Sequence, residues 1–350
     1  MPLLARMLAA PLVIDVRPGA IAGLGALLAD RRIATEGRVA VAVGPGQGDQ
    51  ITADLRLGGA EIFRVTDGTH DDAAALGVRL RAGVYEAVAG IGGGKTIDVT
   101  KFAAHMAGIP MVAVATSLGH DGIASPISSL DHESGKGSYG VASPVAVVVD
   151  LDRVRSAPDR LACAGVGDVV SNLSAISDWE LSAADTGERV DGLAVAMART
   201  AAQAVLLQPG GDRSDQFLTV LAEALILSGM AMVVAGSSRP ASGGDHEIMH
   251  AIDQLYPGTA SHGELAGLGA LFCAYLREDG EQFAAISACL NRHGLPRDPR
   301  EVGLSLPDFA TAVGFAPSTR PGRYTILERL ALSQEQAAGR VADYVRAIPA

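Results

Sequence analysis

Apolar residues in the first part of the chain fall into short Val- and Ala-rich runs separated by stretches with helical spacing. Residues 12–16, 38–43, 61–65, 87–89, 111–115 and 145–149 read as strands, and residues 19–30 and 96–107 as helices between them. That alternation predicts a sheet with crossover helices. From about Pro158 the period changes: residues 166–181, 191–207, 215–235 and 262–276 are long Ala- and Leu-rich stretches, and no run among them reads as a strand. Helical periodicity over such lengths predicts an all-helical second half. The expected fold class is α/β followed by all-α, as two domains of residues 1–155 and 156–350 with a ligand cleft between them.

Composition narrows the class. With 48% hydrophobic and 19% charged positions among 350 residues, the chain has the material for a substantial core. Its 28 Lys and Arg against 39 Asp and Glu give a net charge of -11 and no basic run. Nucleic acid and an anionic membrane are poor partners for such a chain, and an anionic substrate has to be held by local groups. Cys163, Cys273 and Cys289 form no CxxC pair, so neither a thiolate metal site nor a disulfide framework is indicated, and a reducing cytoplasm fits. Residues 220–235 approach the ~20 apolar residues that span a bilayer, but Glu223 interrupts them and a buried core helix is expected. The apolar residues 1–16 lack a clear signal-cleavage region and read as mature protein.

Three blocks carry candidate chemistry. Residues 90–98, GIGGGKTID, follow a predicted strand and open a predicted helix. Glycines at such a turn let an anion approach the backbone, and the helix N-terminus offers unpaired N–H groups, which suits a pyrophosphate. The spacing matches neither GxxxxGK[ST] nor a GxGxxG in a first βα unit, and a structural turn is the alternative. The loop 116–126, TSLGHDGIASP, gathers hydroxyls, an imidazole and a carboxylate after the next strand, where open α/β sheets place ligands. In the helical half, His246 and His250 are four apart and share a helix face, His262 opens the next helix, and Asp168 stands at the expected start of another. Two His and one Asp suffice for a divalent cation with an open coordination position; spacing alone leaves a structural role for these histidines open.

Taken together, GGGKTIDVTKFAAHMAGIPMVAVATSLGHDGIASP, GVGDVVSN, SSRPASGGDHEIMHAID and HGE, in this order across residues 12–275, resemble the sn-glycerol-1-phosphate dehydrogenases. These form a branch of the iron-containing alcohol dehydrogenase and dehydroquinate synthase superfamily. The resemblance implies a Rossmann-like N-terminal domain, a C-terminal helical metal-binding domain and an active site in the cleft. It implies NAD or NADP held by Gly93, Gly94, Lys95, Thr96, Ile97, Asp98, Thr116, Ser117, Leu118, Gly119 and Ser125. It makes Asp168, His246 and His262 ligands of a divalent metal, and Asp121 and His250 the residues facing substrate. Asn172 stands where many iron-dependent relatives carry a further ligand His, so Zn2+ is favoured over Ni2+ or Fe2+.

The implied reaction interconverts a small ketone and a secondary alcohol, of the dihydroxyacetone phosphate and sn-glycerol 1-phosphate type or a related polyol. His250, with an ordinary imidazole pKa near ~6.5, could relay a proton, and Asp121 is the second candidate. Lys136 and Arg239 are available to hold a phosphate, with a solvated surface role as the alternative. A homo-oligomer is expected. The family pattern is broken at Asp245, where Glu is usual, and over residues 130–141. A sugar phosphate cyclase of the dehydroquinate synthase type is the rival reading, but residues 121–128 lack that group's phosphate-binding Lys. A non-catalytic NAD-binding regulatory protein is the alternative of another class. The turn 44–49, GPGQGD, does not separate NADH from NADPH.

Overall fold

Strands of almost unbroken Val and Ala form where both faces of a parallel sheet are covered. In the computed structural model, which describes residues 10–35, 37–55, 60–132, 135–209 and 213–349 (54 and 159–162 by backbone only), these runs become β1 (Val13–Arg17), β2 (Arg38–Val43), β3 (Glu61–Arg64), β4 (Tyr85–Gly92) and β5 (Met111–Ala115). A hairpin of β6 (Ile127–His132) and β7 (Gly135–Gly140) and a last strand, β8 (Ala146–Asp150), follow. The large sheet has the order β1-β8-β5-β4-β2-β3 with every pairing parallel. Alternate residues divide between two cores: Ala40, Ala42, Val88, Ala113 and Val147 join the main cluster, while Val41, Val43, Ala89, Val112 and Val148 face the other.

The chain runs outward from β2 to β3 and then crosses back to β4 and β5, so the carboxyl ends of β2 and β4 flank a topological switch point, where such sheets bind ligands. The helices of this half are α1 (Leu24–Leu28), α2 (Gln47–Asp54), α3 (His70–Ala82) and α4 (Gly94–Ala107). The helix expected over 19–30 is broken into a 3-10 turn, Ala20–Gly23, and the short α1. Asp150 fastens that turn by accepting from the N–H groups of Gly19 and Ile21. β4 is longer than the expected 87–89, because Gly90 and Gly92 belong to the strand; a Cβ on Gly90 would lie 2.9 Å from Thr100, so glycine here lets α4 pack close.

After α5 (Leu151–Arg155) only helices follow among the described residues: α6 (Asp159–Thr186), α7 (Gly192–Leu206), α8 (Asp215–Ala235), α9 (Gly244–Leu255), α10 (His262–Leu276), α11 (Gly280–Arg292), α12 (Leu306–Phe315), α13 (Ile326–Leu330) and α14 (Gln334–Ala347). α8 and α10 have the expected limits. α6 is longer at both ends, so Asp168 lies within it rather than at its start. By length and composition α8 could cross a bilayer; here Leu218, Leu221 and Leu225 are fully buried and the helix packs against α7 and the turn Asp121–Ile123.

Candidate active site

Three helices converge because their contact faces lack side chains. A Cβ on Gly167 of α6 would lie 2.1 Å from the Gly263 carbonyl of α10, and one on Gly269 of α10 would lie 2.5 Å from the Asp245 carbonyl of α9. Backbones this close bring Asp168, His246 and His262 together. Asp168 Oδ1 is 3.6 Å from His246 Nε2 and 3.2 Å from His262 Nε2, and one potential ligand atom from each residue lies within 4.8 Å of the others. Asp245, fully buried, accepts from His246 Nδ1 at 3.1 Å and from the Gly243 N–H at 2.7 Å. That contact leaves Nε2 directed at the cluster. Burial opposes charge on both His246 and Asp168, but their mutual attraction outweighs it: His246, aided by Asp245, is raised to about 9, and Asp168, aided by His262, is held well below the usual carboxylate range.

Asp121 is tied to the cluster through its main-chain N–H, which donates to Asp168 Oδ2 at 2.8 Å. Ser228 donates to Asp121 Oδ2 at 2.9 Å and also contacts Asn172. Burial, with the Asp168 charge beside it, pushes the Asp121 carboxyl up to about 7. Asn172 is buried against Ser228 and the Ala198 carbonyl, outside the three-residue cluster.

His250 lines the same cavity as Asp121, His246 and His262. Its Nε2 lies 2.9 Å from Arg320 Nη2, and burial together with that guanidinium holds its pKa well below 6.5. The expectation of an ordinary imidazole pKa for His250 is therefore corrected: it is a neutral ring whose Nε2 accepts from Arg320. His120, in the same cavity and not singled out from the sequence, has its ring 5.1 Å from that of His262 and is lowered to about 4 by burial and by His262. Its presence in the loop 116–126, beside Asp121, was the signal available. Arg320 had none, lying 70 residues beyond His250 outside every block that carried chemistry.

The residues expected to hold a dinucleotide sit at the carboxyl ends of β4 and β5. Gly93 caps α4 without a side-chain hydrogen bond, leaving first-turn N–H groups uncapped. Thr96 faces Gly44 across the switch point, where a Cβ would come within 2.2 Å of its Oγ1. Ser117 is beside Gly93, Thr116 is bonded to the Gly92 carbonyl at 3.0 Å, and Gly119 has open space where a Cβ would be. Lys95 is exposed. Ile97 and Leu118 turn into the core, so a ligand could meet only their backbones. Asp98 and Ser125 reach the cavity that holds the histidines. Buried Lys101 pins this region, 3.2 Å from Asp98 and donating to the Gly122 and Ser125 carbonyls. The space directly over Gly94 is taken by the His120 ring, 2.1 Å from a Cβ built there.

Residues 15–158 match the iron-containing alcohol dehydrogenase family. The glycerol-1-phosphate dehydrogenase (NAD(P)+) of Methanothermobacter thermautotrophicus is 35% identical over 98% of this chain and 99% of its own. The enzyme of the same name from Pyrococcus furiosus is 41% identical over 71% of each chain. The chain belongs to the glycerol-1-phosphate dehydrogenase family. Members of this family are NAD(P)-dependent oxidoreductases acting on CH–OH groups. The fold agrees: a probable glycerol dehydrogenase of Sinorhizobium meliloti 1021 superposes with a TM-score of 0.81 at 22% identity, covering 97% of this chain and 98% of the other. A glycerol dehydrogenase of Schizosaccharomyces pombe does so with a TM-score of 0.73 at 18% identity, covering 97% and 90%.

A glycerol-1-phosphate dehydrogenase family member is expected to carry NAD(P) and a divalent metal, and the residues fit both. Asp168, His246 and His262 offer one carboxylate and two imidazoles, with Asp245 fixing one ring in the manner of a metal-site supporting carboxylate. The uncapped start of α4 at the switch point suits a pyrophosphate.

Proposed function

We propose that the protein reduces dihydroxyacetone phosphate to sn-glycerol 1-phosphate with NAD(P)H, using a metal held by Asp168, His246 and His262. The convergence of those three side chains in one cavity with Asp121 and His250 carries this reading, and the names of the relatives supply the substrate. Zn2+ is favoured, because Asn172 is engaged with Ser228 and adds no fourth protein ligand. Bound there, the cation would supply Lewis acidity toward the reacting oxygen and the nicotinamide the hydride. Asp121, with its carboxyl near neutrality, exchanges the proton of the substrate hydroxyl. His250, neutral and fixed by Arg320, orients the substrate rather than donating a proton as imidazolium.

Residues 93–98, 116–119 and Ser125 would hold the cofactor, Ile97 and Leu118 through backbone groups alone. Residues 1–155 and 156–350 form the two domains in this reading, which meet at the cavity. The protein works in the cytoplasm, consistent with its free cysteines, and as a homo-oligomer. The cyclase alternative is disfavoured by the relatives and by residues 121–128, which lack a Lys. The test is turnover of a panel of phosphorylated and unphosphorylated ketones by zinc-loaded protein with NADH and with NADPH. Oxidation of cofactor by dihydroxyacetone phosphate is expected, and absence of turnover over the panel would overturn the reading.

A further inference from the structure

The two cations that the sequence offers for a phosphate are already neutralised. Arg239 forms a forked pair with Glu188, Nε at 2.9 Å from Oε1 and Nη2 at 2.5 Å from Oε2. Lys136 lies 3.3 Å from Asp253. A different pair, Arg320 and Arg323, stands in the turn between α12 and α13, half-buried, and its hydrogen-bond partners are neutral. Arg320 donates to Ser242 Oγ at 2.8 Å, Ser238 Oγ at 3.2 Å and His250 at 2.9 Å. Arg323 donates to the Ser242 carbonyl and, at 3.0 Å, to Ser238 Oγ. Among the described residues neither forms an ion pair with a carboxylate, whereas the comparably sheltered Arg277 has Asp178 at 2.7 Å. Two sheltered guanidinium groups with no carboxylate in contact, and only the fields of buried Asp245 and Glu247 to offset their charge, are costly in a chain that carries 39 acidic residues. Burial lowers both, Arg323 to about 10 with the repulsion of Arg320 and Arg239 added, and Glu247 and Asp245 offset only part of it.

Arg320 connects two spaces. It lines the cavity that contains His246, His250 and His262, and it also lines the adjoining groove with Arg323 and Arg239. The His246 and His250 rings are 6.5 Å apart, and Arg320 follows directly on His250. A short ligand with its reacting oxygen at the Asp168–His246–His262 cluster therefore reaches toward Arg320, which shares Ser238 and Ser242 with Arg323. The dinucleotide cradle starts from a different element, the beginning of α4.

We propose that Arg320 and Arg323, supported by Ser238 and Ser242, form the subsite that binds the phosphate monoester of the substrate and selects phosphorylated over unphosphorylated ketones. This rests on the reading of the cavity as a ketone reductase site. Planar guanidinium donors suit a phosphate through paired N–H···O bonds, and the Ser hydroxyls hold their forks in place. Arg320 also links phosphate occupancy to His250, since one side chain addresses both.

The test compares zinc-loaded wild type, Arg323→Met and Arg323→Lys in kcat/KM for dihydroxyacetone phosphate and for dihydroxyacetone, with inorganic phosphate as inhibitor and as a stabilising ligand in thermal melts. Arg323→Met is expected to lose about 30-fold or more on the phosphorylated ketone, the effect of truncating one partner of a buried charge pair. It should change less than about threefold on dihydroxyacetone, and weaken inhibition by phosphate in parallel. Arg323→Lys should recover part of the loss, and it carries the same comparison if the Met variant does not fold. Equal losses on both ketones, or unchanged phosphate inhibition, would overturn the subsite. A loss confined to the KM of NADPH would also overturn it, by assigning the arginines to the cofactor's 2'-phosphate. If wild type turns over neither ketone, the reductase reading fails. Phosphate-dependent stabilisation of wild type that disappears in the Arg323 variants would then still support an anion site, and its absence would remove that as well.

Discussion

Replacing Asp245 by Asn isolates the contact that prepares His246 for a metal. The Asp245 carboxylate has two tasks: Oδ2 accepts from His246 Nδ1 at 3.1 Å, and Oδ1 accepts from the Gly243 N–H at 2.7 Å. An Asn amide is nearly isosteric but can accept on one side only. If its NH2 group faces His246, it donates to Nδ1 and drives the ring proton onto Nε2, the atom aimed at Asp168 and His262. If its oxygen faces His246, the NH2 group confronts the Gly243 N–H in a fully buried place, at a cost of roughly 1–3 kcal/mol for an unsatisfied donor. Either orientation weakens the site. Loss of such a supporting carboxylate typically costs ~10–100-fold in metal affinity, or about 1.4–2.7 kcal/mol. Competition with a calibrated chelator, followed by elemental analysis, measures this on wild type and Asp245→Asn, with circular dichroism to establish that both are folded. Zinc affinity equal within about threefold in a folded variant would refute the tautomer argument.

Gly94→Val should raise the Kd for NAD(P)H while leaving zinc content unchanged, because the new Cβ lies 2.1 Å from His120 Nε2 and displaces that ring over the start of α4. Calorimetric titration and metal analysis on one preparation check both parts, and unchanged cofactor affinity would contradict it. His250→Ala should lower kcat by about 10^2-fold, the effect of losing a group that positions the substrate, with zinc retained, since His250 contacts Arg320 and lies outside the three-residue cluster; zinc lost with His250 would show that it is a ligand. Arg277→Met should destabilise the fold by roughly 3–5 kcal/mol in urea titrations, because it strands buried Asp178, which holds the Gly244 and Ile326 N–H groups; an unchanged midpoint would argue against an ion pair of that importance.

Much of this was legible in the chain because the informative contacts are local. β2 and β5 have the expected limits, being Val and Ala runs bounded by turn residues. The recurrence of His at four residues announces a helix face, and His262 sits at the first turn of α10 as expected. β4 was under-read because glycine signals a turn, whereas Gly90 and Gly92 serve close packing of α4 inside the strand. The hairpin of β6 and β7 passed unseen because Ser, Gly and charged residues dominate 135–140 and give no apolar alternation. The partners of Lys136 and Arg239 were illegible for a different reason. A cation's availability depends on who neutralises it, and Glu188 for Arg239 and Asp253 for Lys136 are partners 51 and 117 residues away. The neutral hydrogen-bond partners of Arg320 and Arg323 are equally non-local, with Ser238 and Ser242 arriving from the turn before α9.

The most direct test of the metal-dependent reductase is a single stoichiometric assay: zinc-loaded protein, dihydroxyacetone phosphate and NAD(P)H, followed by measurement of cofactor oxidised, phosphate released and glycerol phosphate formed. The account predicts one cofactor oxidised per sn-glycerol 1-phosphate formed, no phosphate released, and loss of turnover in the chelated protein and in His246→Ala and His262→Ala. Phosphate release without net oxidation of cofactor, or full turnover in those two variants, would contradict it.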